Sequence, residues 1–319
     1  MATKSTIKKT TIKFSENGHS NNGVEAKRLE VLKTYKIYIG GQFPRTESGR
    51  FYVATNSKGD NLANVCLSSR KDFREAVVAA RGAFGGWSGR AAFNRGQILY
   101  RIAEMLEGRK AQFIDELIKQ DLSARDAEQE VNLAIDRLIY YSGWCDKFQQ
   151  LFSSVNPVAS SHFNFSVPEP TGVVSVIAPQ NTSLIGLISV IAPIIAGGNT
   201  CIVLASASKP LCSVTFAEVL ATSDLPGGVV NILTGKISEL APYFSDHMDV
   251  NAVVFCEADN ELKKLIQEKA TQNIKRVFQY DKTNWLADDG QSPYFIMDLQ
   301  EIKTTWHPIE NIGGGKSAY

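Results

Sequence analysis

Between Pro168 and Leu211 the chain reads PEPTGVVSVIAPQNTSLIGLISVIAPIIAGGNTCIVLASASKPL, an order of residues that few folds can accommodate. A short apolar run, Val173 to Ala178, is bounded by Gly172 and Pro179 and has the character of a parallel strand buried on both faces. The polar turn Gln180 to Ser183 leads into an apolar segment of helix length, Leu184 to Ala196, which Gly197, Gly198 and Asn199 end. A second buried strand, Thr200 to Leu204, follows. Strand, helix and strand in this order make one right-handed parallel unit of an α/β sheet.

The flanking segments extend that unit. Downstream, Val229–Leu233, Ala252–Phe255 and Arg276–Tyr280 read as further strands, separated by helices at Thr215–Ala221 and in the charged stretch after Asp259. The spacing predicts an open, mostly parallel, Rossmann-like α/β sheet. Upstream, Lys36 to Asp60 reads as short strands with Gly-Gly and Ser-Gly turns. Three amphipathic helices come next. The first carries Phe73, Ala76, Val77, Ala80 and Phe84 after a Ser69 cap; the second covers Arg90 to Asp115; the third covers about Asp126 to Phe148.

Composition excludes several partners. At 319 residues and 44% hydrophobic, the chain can bury a full core, with two domains expected. A formal charge of +1 supplies no basic field for nucleic acid. Leu184 to Ala196 is too short to span a bilayer and contains Pro193, so no membrane partner is expected. The five cysteines lack CxxC spacing and read as free thiols in a reducing cytoplasm. The four histidines form no metal constellation. The Lys- and Thr-rich start of the chain has no apolar core of a secretory signal and reads as a disordered tail.

The stretch from Pro168 to Leu211 resembles the aldehyde dehydrogenase family, whose members read roughly PxGVVxxIxPWNFPL, a helix, then GNTVVLKPSExTPL. The likeness runs from about Lys36 to Phe278 and includes the helix ending in Trp87, the LIYYSGWCDKF segment and LPGGVVNILTG. It implies a β-arm that begins in Leu151 to Phe165 and pairs with a neighbouring subunit. DLQEIKTTWHP, Asp298 to Pro308, is similar to the family's last strand, which completes that arm. The expected organisation is a tail over 1–30 and a nucleotide-binding-type α/β domain from 31–150 and 168–285. A β-arm from 151–167 and 294–309 and a flexible tail over 310–319 complete it.

The words that carry the family's chemistry are mostly altered. Asn181 matches the oxyanion Asn, but Gln180 replaces the preceding Trp. At the Lys and Glu that hold the adenine ribose stand Leu204 and Ala207, with Ser206 kept between them. In the family's pyrophosphate loop, FTGS, Phe255 is followed by Cys256, Glu257 and Ala258. Glu257, with Asp259, is expected to cap the following helix, against its dipole. Tyr280 stands at the general-base Glu, and the family's nucleophilic Cys, which would lie well beyond it, has no counterpart. Cys256 sits at a strand end before a helix, where a thiol pKa can fall, but Glu257 beside it opposes the thiolate.

The combined expectation is a cytoplasmic pseudoenzyme of aldehyde dehydrogenase type. It has no catalytic residues and no cofactor, and it assembles with itself or with an active aldehyde dehydrogenase-like chain. The alternatives are a regulator that still holds NAD or NADP, and an NAD-dependent dehydrogenase with residual activity.

Overall fold

The computed structural model describes residues 31–309; the tails expected over 1–30 and 310–319 lie outside the described residues. The chain opens with β1 (Thr34–Tyr35), β2 (Phe51–Thr55) and β3 (Asn61–Cys66), which form a small sheet in the order β1-β3-β2. Helix α1 (Arg70–Ser88) starts at Ser69, whose backbone N–H and hydroxyl both donate to Asp72 Oδ2 at 2.7 and 2.8 Å. Its Phe73, Ala76, Val77 and Ala80 are buried against one face of the central sheet. The single helix expected over 90–115 is two helices, α2 (Ala92–Gly108) and α3 (Lys110–Lys119). They divide at Arg109, whose φ of −110° and ψ of 11° leave the helical region just after Gly108, a weak helix former. Helix α4 (Ala124–Trp144) is capped by Ser123, which accepts from Asp126 N at 3.1 Å, and the short α5 (Phe148–Phe152) follows. The aromatic residues of the LIYYSGWCDKF segment pack inward, with Tyr141 and Phe148 fully buried.

After the outlying strands β4 (Ser154–Asn156) and β5 (His162–Pro170) comes the parallel unit: β6 (Val173–Ile177), α6 (Ile185–Ala196), β7 (Thr200–Leu204), α7 (Leu211–Ala221) and β8 (Val230–Leu233). Then follow α8 (Ile237–Asp246), β9 (Ala252–Phe255), α9 (Asn260–Ala270) and β10 (Arg276–Gln279). Helix α8 escapes the sequence reading because Pro242 interrupts a short and mixed pattern. The five strands order as β10-β9-β6-β7-β8, all parallel. Every residue of β6, β7, β8 and β9 is buried, which is why these strands read as apolar runs without alternation. The chain moves outward from β6 through β7 to β8, then returns to the other side of β6 for β9 and β10. The crevice at the carboxyl ends therefore opens between β6 and β9.

Beyond β10 a strap over 281–299 contains α10 (Tyr294–Met297) and leads to β11 (Gln300–Pro308). Strand β11 runs antiparallel to β5 over nine residue pairs, from Gln300 opposite Pro170 to Pro308 opposite His162, giving a three-stranded arm β11-β5-β4. The arm's root is fixed by Glu301, which accepts from Arg276 Nε and Nη2 at 3.0 and 2.6 Å and from Thr171 Oγ1 at 2.8 Å. Asn199 Nδ2 donates to Leu299 O at 2.9 Å beside it.

The strap's residues Lys282 to Pro293 are mostly polar, yet the segment is anchored. Trp285 is buried, its ring centroid 6.1 Å from that of Phe295 and 6.4 Å from that of Tyr280. The buried Arg137 of α4 donates to the Gly290 carbonyl, to Trp285 O at 3.3 Å and to Ser189 Oγ of α6 at 2.7 Å.

At the foot of β10, Lys275 is buried and donates to Asn273 Oδ1. Burial pulls its ammonium pKa down to about 8, with Asp246 acting in the opposite sense. In the unfolded chain a lysine titrates near ~10.4, so between these values the unfolded state holds more protons and stability rises with pH. Lys275→Met should therefore melt higher than the wild type at pH 7, with the gap closing as pH approaches ~10.4. Parallel melting-temperature profiles for the two proteins from pH 7 to 10 would contradict this.

Candidate functional site

The crevice between β6 and β9 holds a cleft of about 410 Å³ whose walls include Gln180, Asn181, Cys256, Glu257, Tyr280 and Asp281. On the far side of Glu257, a groove of about 640 Å³ lies between α8 and α9. Ile237, Ala241, Leu262 and Leu265 line it, with Glu261 and Glu268 also in its wall.

The turn after β6 is organised by Gln180. Its Oε1 accepts from Ala207 N at 2.8 Å and its Nε2 donates to Ala178 O at 2.9 Å. Its carbonyl accepts from Ser206 Oγ at 3.0 Å and from Ser208 Oγ at 2.9 Å. Ser206 also accepts from Lys209 N at 3.1 Å, so its hydroxyl clamps two turns together. Asn181 is exposed at the mouth, and its carbonyl accepts from Lys209 Nζ at 3.0 Å. Deeper in, the first amides of α6 are held from across the core. Glu130 Oε1 of α4 accepts from Leu184 N at 2.9 Å and Ile185 N at 3.1 Å, so a buried carboxylate occupies that helix N-terminus.

Glu257 does not cap α9. Asp259 alone does so, its Oδ1 accepting from Glu261 N at 2.9 Å and Leu262 N at 3.1 Å. Glu257 instead spans the crevice, and its Oε1 accepts from Gln180 N at 3.1 Å. Glu257 lies two residues before the N-cap and points to the turn after β6, while Asp259 stands at the N-cap, where an Asx side chain closes the turn. Burial raises the Glu257 carboxyl pKa and Asp259 raises it further, with the Gln180 amide working against both.

Cys256 is buried beside these acids. Burial, then Glu257, then Asp281, push its thiol well above the usual value, so the expected opposition to a thiolate prevails over any effect of the helix end. Tyr280 sends its hydroxyl to Asp298 Oδ2 at 2.7 Å and packs on Phe295 at 4.8 Å between ring centroids. Burial first, then the Asp298 charge, hold its phenol above the ordinary range. Tyr280 thus fastens the strap to the sheet, an aromatic core role that a carboxylate base could not fill.

The structure brings Asn181, Glu257 and Tyr280 to one cleft. Leu204 is fully buried in β7 and presents no polar group, while Ser206 and Ala207 are taken up in holding Gln180. The first amides of α9 already carry the Asp259 carboxylate, and a pyrophosphate placed there would face Glu257 and Asp259. Among the described residues no cluster of His, Cys, Asp and Glu could hold a metal ion.

Glu130, Arg137 and Trp285 do their work unseen by motif reading. A signal existed for two of them: Glu130 and Arg137 are charged residues inside the apolar stripe Ala127, Val131, Ala134, Leu138 and Tyr141 of α4. A charge in such a stripe must find a buried partner.

Residues 43–298 match the family model described as the aldehyde dehydrogenase family. The cytosolic 10-formyltetrahydrofolate dehydrogenase of Mus musculus is 32% identical over 88% of this chain and 32% of its own length. A putative aldehyde dehydrogenase, DhaS, of Bacillus subtilis is 30% identical over 87% of this chain and 55% of its own. The NAD+ complex of aldehyde dehydrogenase from Bacillus cereus superposes with a TM-score of 0.71 at 25% identity, covering 77% of this chain and 50% of that one. The chain thus spans between about a third and about half of the relatives it matches. No helix among the described residues is long and apolar enough to cross a membrane.

Proposed function

The chain belongs to the aldehyde dehydrogenase family, and from that membership we propose that it is a non-catalytic member, a pseudoenzyme whose fold serves assembly. The observation that supports this most is the Asp259 carboxylate seated on the first amides of α9, where a phosphate would need them. The buried, proton-holding Cys256 and the strap-bound Tyr280 support it further. A competing reading, retention of NAD or NADP, draws on the relative solved as an NAD+ complex; the affinity measurement that closes the Discussion separates the two.

Assembly requires exposed strand edges and apolar surface, and the arm has both. Strands β11 and β4 are its outer strands, and Val155, Ile302 and Trp306 are 68%, 55% and 57% exposed. Such an edge is a template for another chain unless it is covered. The partner is a second copy or an intact aldehyde dehydrogenase, in a soluble compartment such as the cytoplasm. Co-expression with a catalytic homologue from the same source, followed by sizing chromatography, tests this. Co-elution, or a self-assembled species larger than 35 kDa, is expected. A 35.0 kDa monomer that ignores the homologue would refute the proposal.

A further inference from the structure

The groove of about 640 Å³ between α8 and α9 is floored by apolar side chains from both helices. Ile237 and Ala241 stand four residues apart on α8, and Leu262 and Leu265 three apart on α9, so each pair lies on one side of its helix. Ile237 and Leu265 are only half-buried, which leaves apolar surface open at the base of the groove.

The wall above that floor is acidic. Glu257, Asp259, Glu261 and Glu268 stand in it with a single cation, Lys264. Among the described residues none of these five has an ion-pair partner. Of the lysines nearby in sequence, Lys236 pairs with Glu239 at 3.9 Å and Lys269 with Asp246 at 3.8 Å, while Lys263 does not line the groove. Lys264 lies one turn from both Glu261 and Glu268 and offsets only part of their charge. Burial raises the Glu257 carboxyl pKa, yet without it the exposed Asp259, Glu261 and Glu268 still outnumber the lysine.

The spacing of the acids adds a geometric requirement. Glu261 and Glu268 are seven residues apart on α9, two turns, and so lie on the same face about 10.5 Å apart along the axis. We infer that this groove is a docking surface for a basic amphipathic helix of a partner protein. Apolar side chains of that helix enter between α8 and α9, and Lys or Arg residues seven apart beside them meet Glu261 and Glu268. An apolar groove takes such a helix through anchors at one-turn spacing, and the acidic wall selects a cationic partner over an acidic one. The contact is separate from the arm and holds whether or not β11 and β4 pair with another chain.

Fluorescence anisotropy of the full chain with two labelled helical peptides of identical Leu, Ala and Lys content tests this. One peptide orders its Leu residues in a single stripe flanked by Lys residues seven apart, and the other scrambles the same residues. The striped peptide should bind saturably, one per chain, about ten-fold more tightly than the scrambled one, as burying an apolar side chain predicts. Glu261→Gln with Glu268→Gln changes two exposed side chains, so this double variant should melt as the wild type does and bind the striped peptide about five-fold more weakly. Leu265→Gln, with its fold checked by melting, should weaken it at least as much. Equal binding of the two peptides would reduce the groove to an acidic face and overturn the proposal. An unchanged affinity in the double variant, or no binding to the wild type at millimolar striped peptide, overturns it as well.

Discussion

Arg137→Met is expected to lower the stability of the folded chain by about 3 kcal/mol and to free the strap from the body. Among the described residues the buried guanidinium has no carboxylate partner and serves neutral acceptors: the Gly290 and Trp285 carbonyls and the Ser189 hydroxyl. Burial accordingly pulls its pKa down from the ordinary arginine value. Methionine matches much of the volume and removes the cost of burying a charge, which limits the loss. Two carbonyls then remain in an apolar setting without a donor, and each such group costs about 1–3 kcal/mol. The damage should be local. Amides of the strap, such as Gly290 N bonded to Ala287 O, should exchange with solvent faster, whereas those of β6 and β7 keep their protection. Unchanged melting and unchanged strap exchange would show that Arg137 does not hold this segment.

The strap is where the sequence ceases to be readable. The strands β6 and β7 and the helix between them were legible because burial on both faces demands uninterrupted apolar residues, which leave a plain trace. The strap was not. Its residues from Lys282 to Pro293 are mostly polar, with no period of two or of 3.6, and its order comes from Arg137, 153 positions before Gly290. A long-range bond to backbone carbonyls leaves no mark on the residues that supply them.

The candidate site divides in the same way. The altered chemical words were visible as words: Leu204 and Ala207 for polar residues, Cys256-Glu257 in a loop that would favour glycine, Tyr280 for an acid. What each replacement does was not visible. Glu257 and Asp259 both look like caps for α9, yet only Asp259 has the N-cap geometry, and Glu257 crosses to Gln180. Which of two nearby carboxylates reaches an amide depends on backbone angles that residue identities do not specify. Asn181 kept its identity, but the turn around it is built by Gln180, Ser206 and Ser208.

The second large effect concerns the dinucleotide. If the crevice accepted NAD with a Kd a hundred-fold below the concentration supplied, the chain would gain about 2.7 kcal/mol of stability. Against this stand the occupied amides of α9, the Glu257 and Asp259 carboxylates, and the apolar Leu204 at the ribose position. Each disfavours a polyanion or withholds a donor that it needs.

Isothermal titration of NAD, and then of NADP, into the full chain addresses the point directly. The expected trace shows dilution heat alone up to millimolar ligand, and no rise in melting temperature. A saturable heat with one dinucleotide bound per chain at micromolar Kd would contradict the account, because the crevice would then hold a polyanion beside the Asp259 and Glu257 carboxylates.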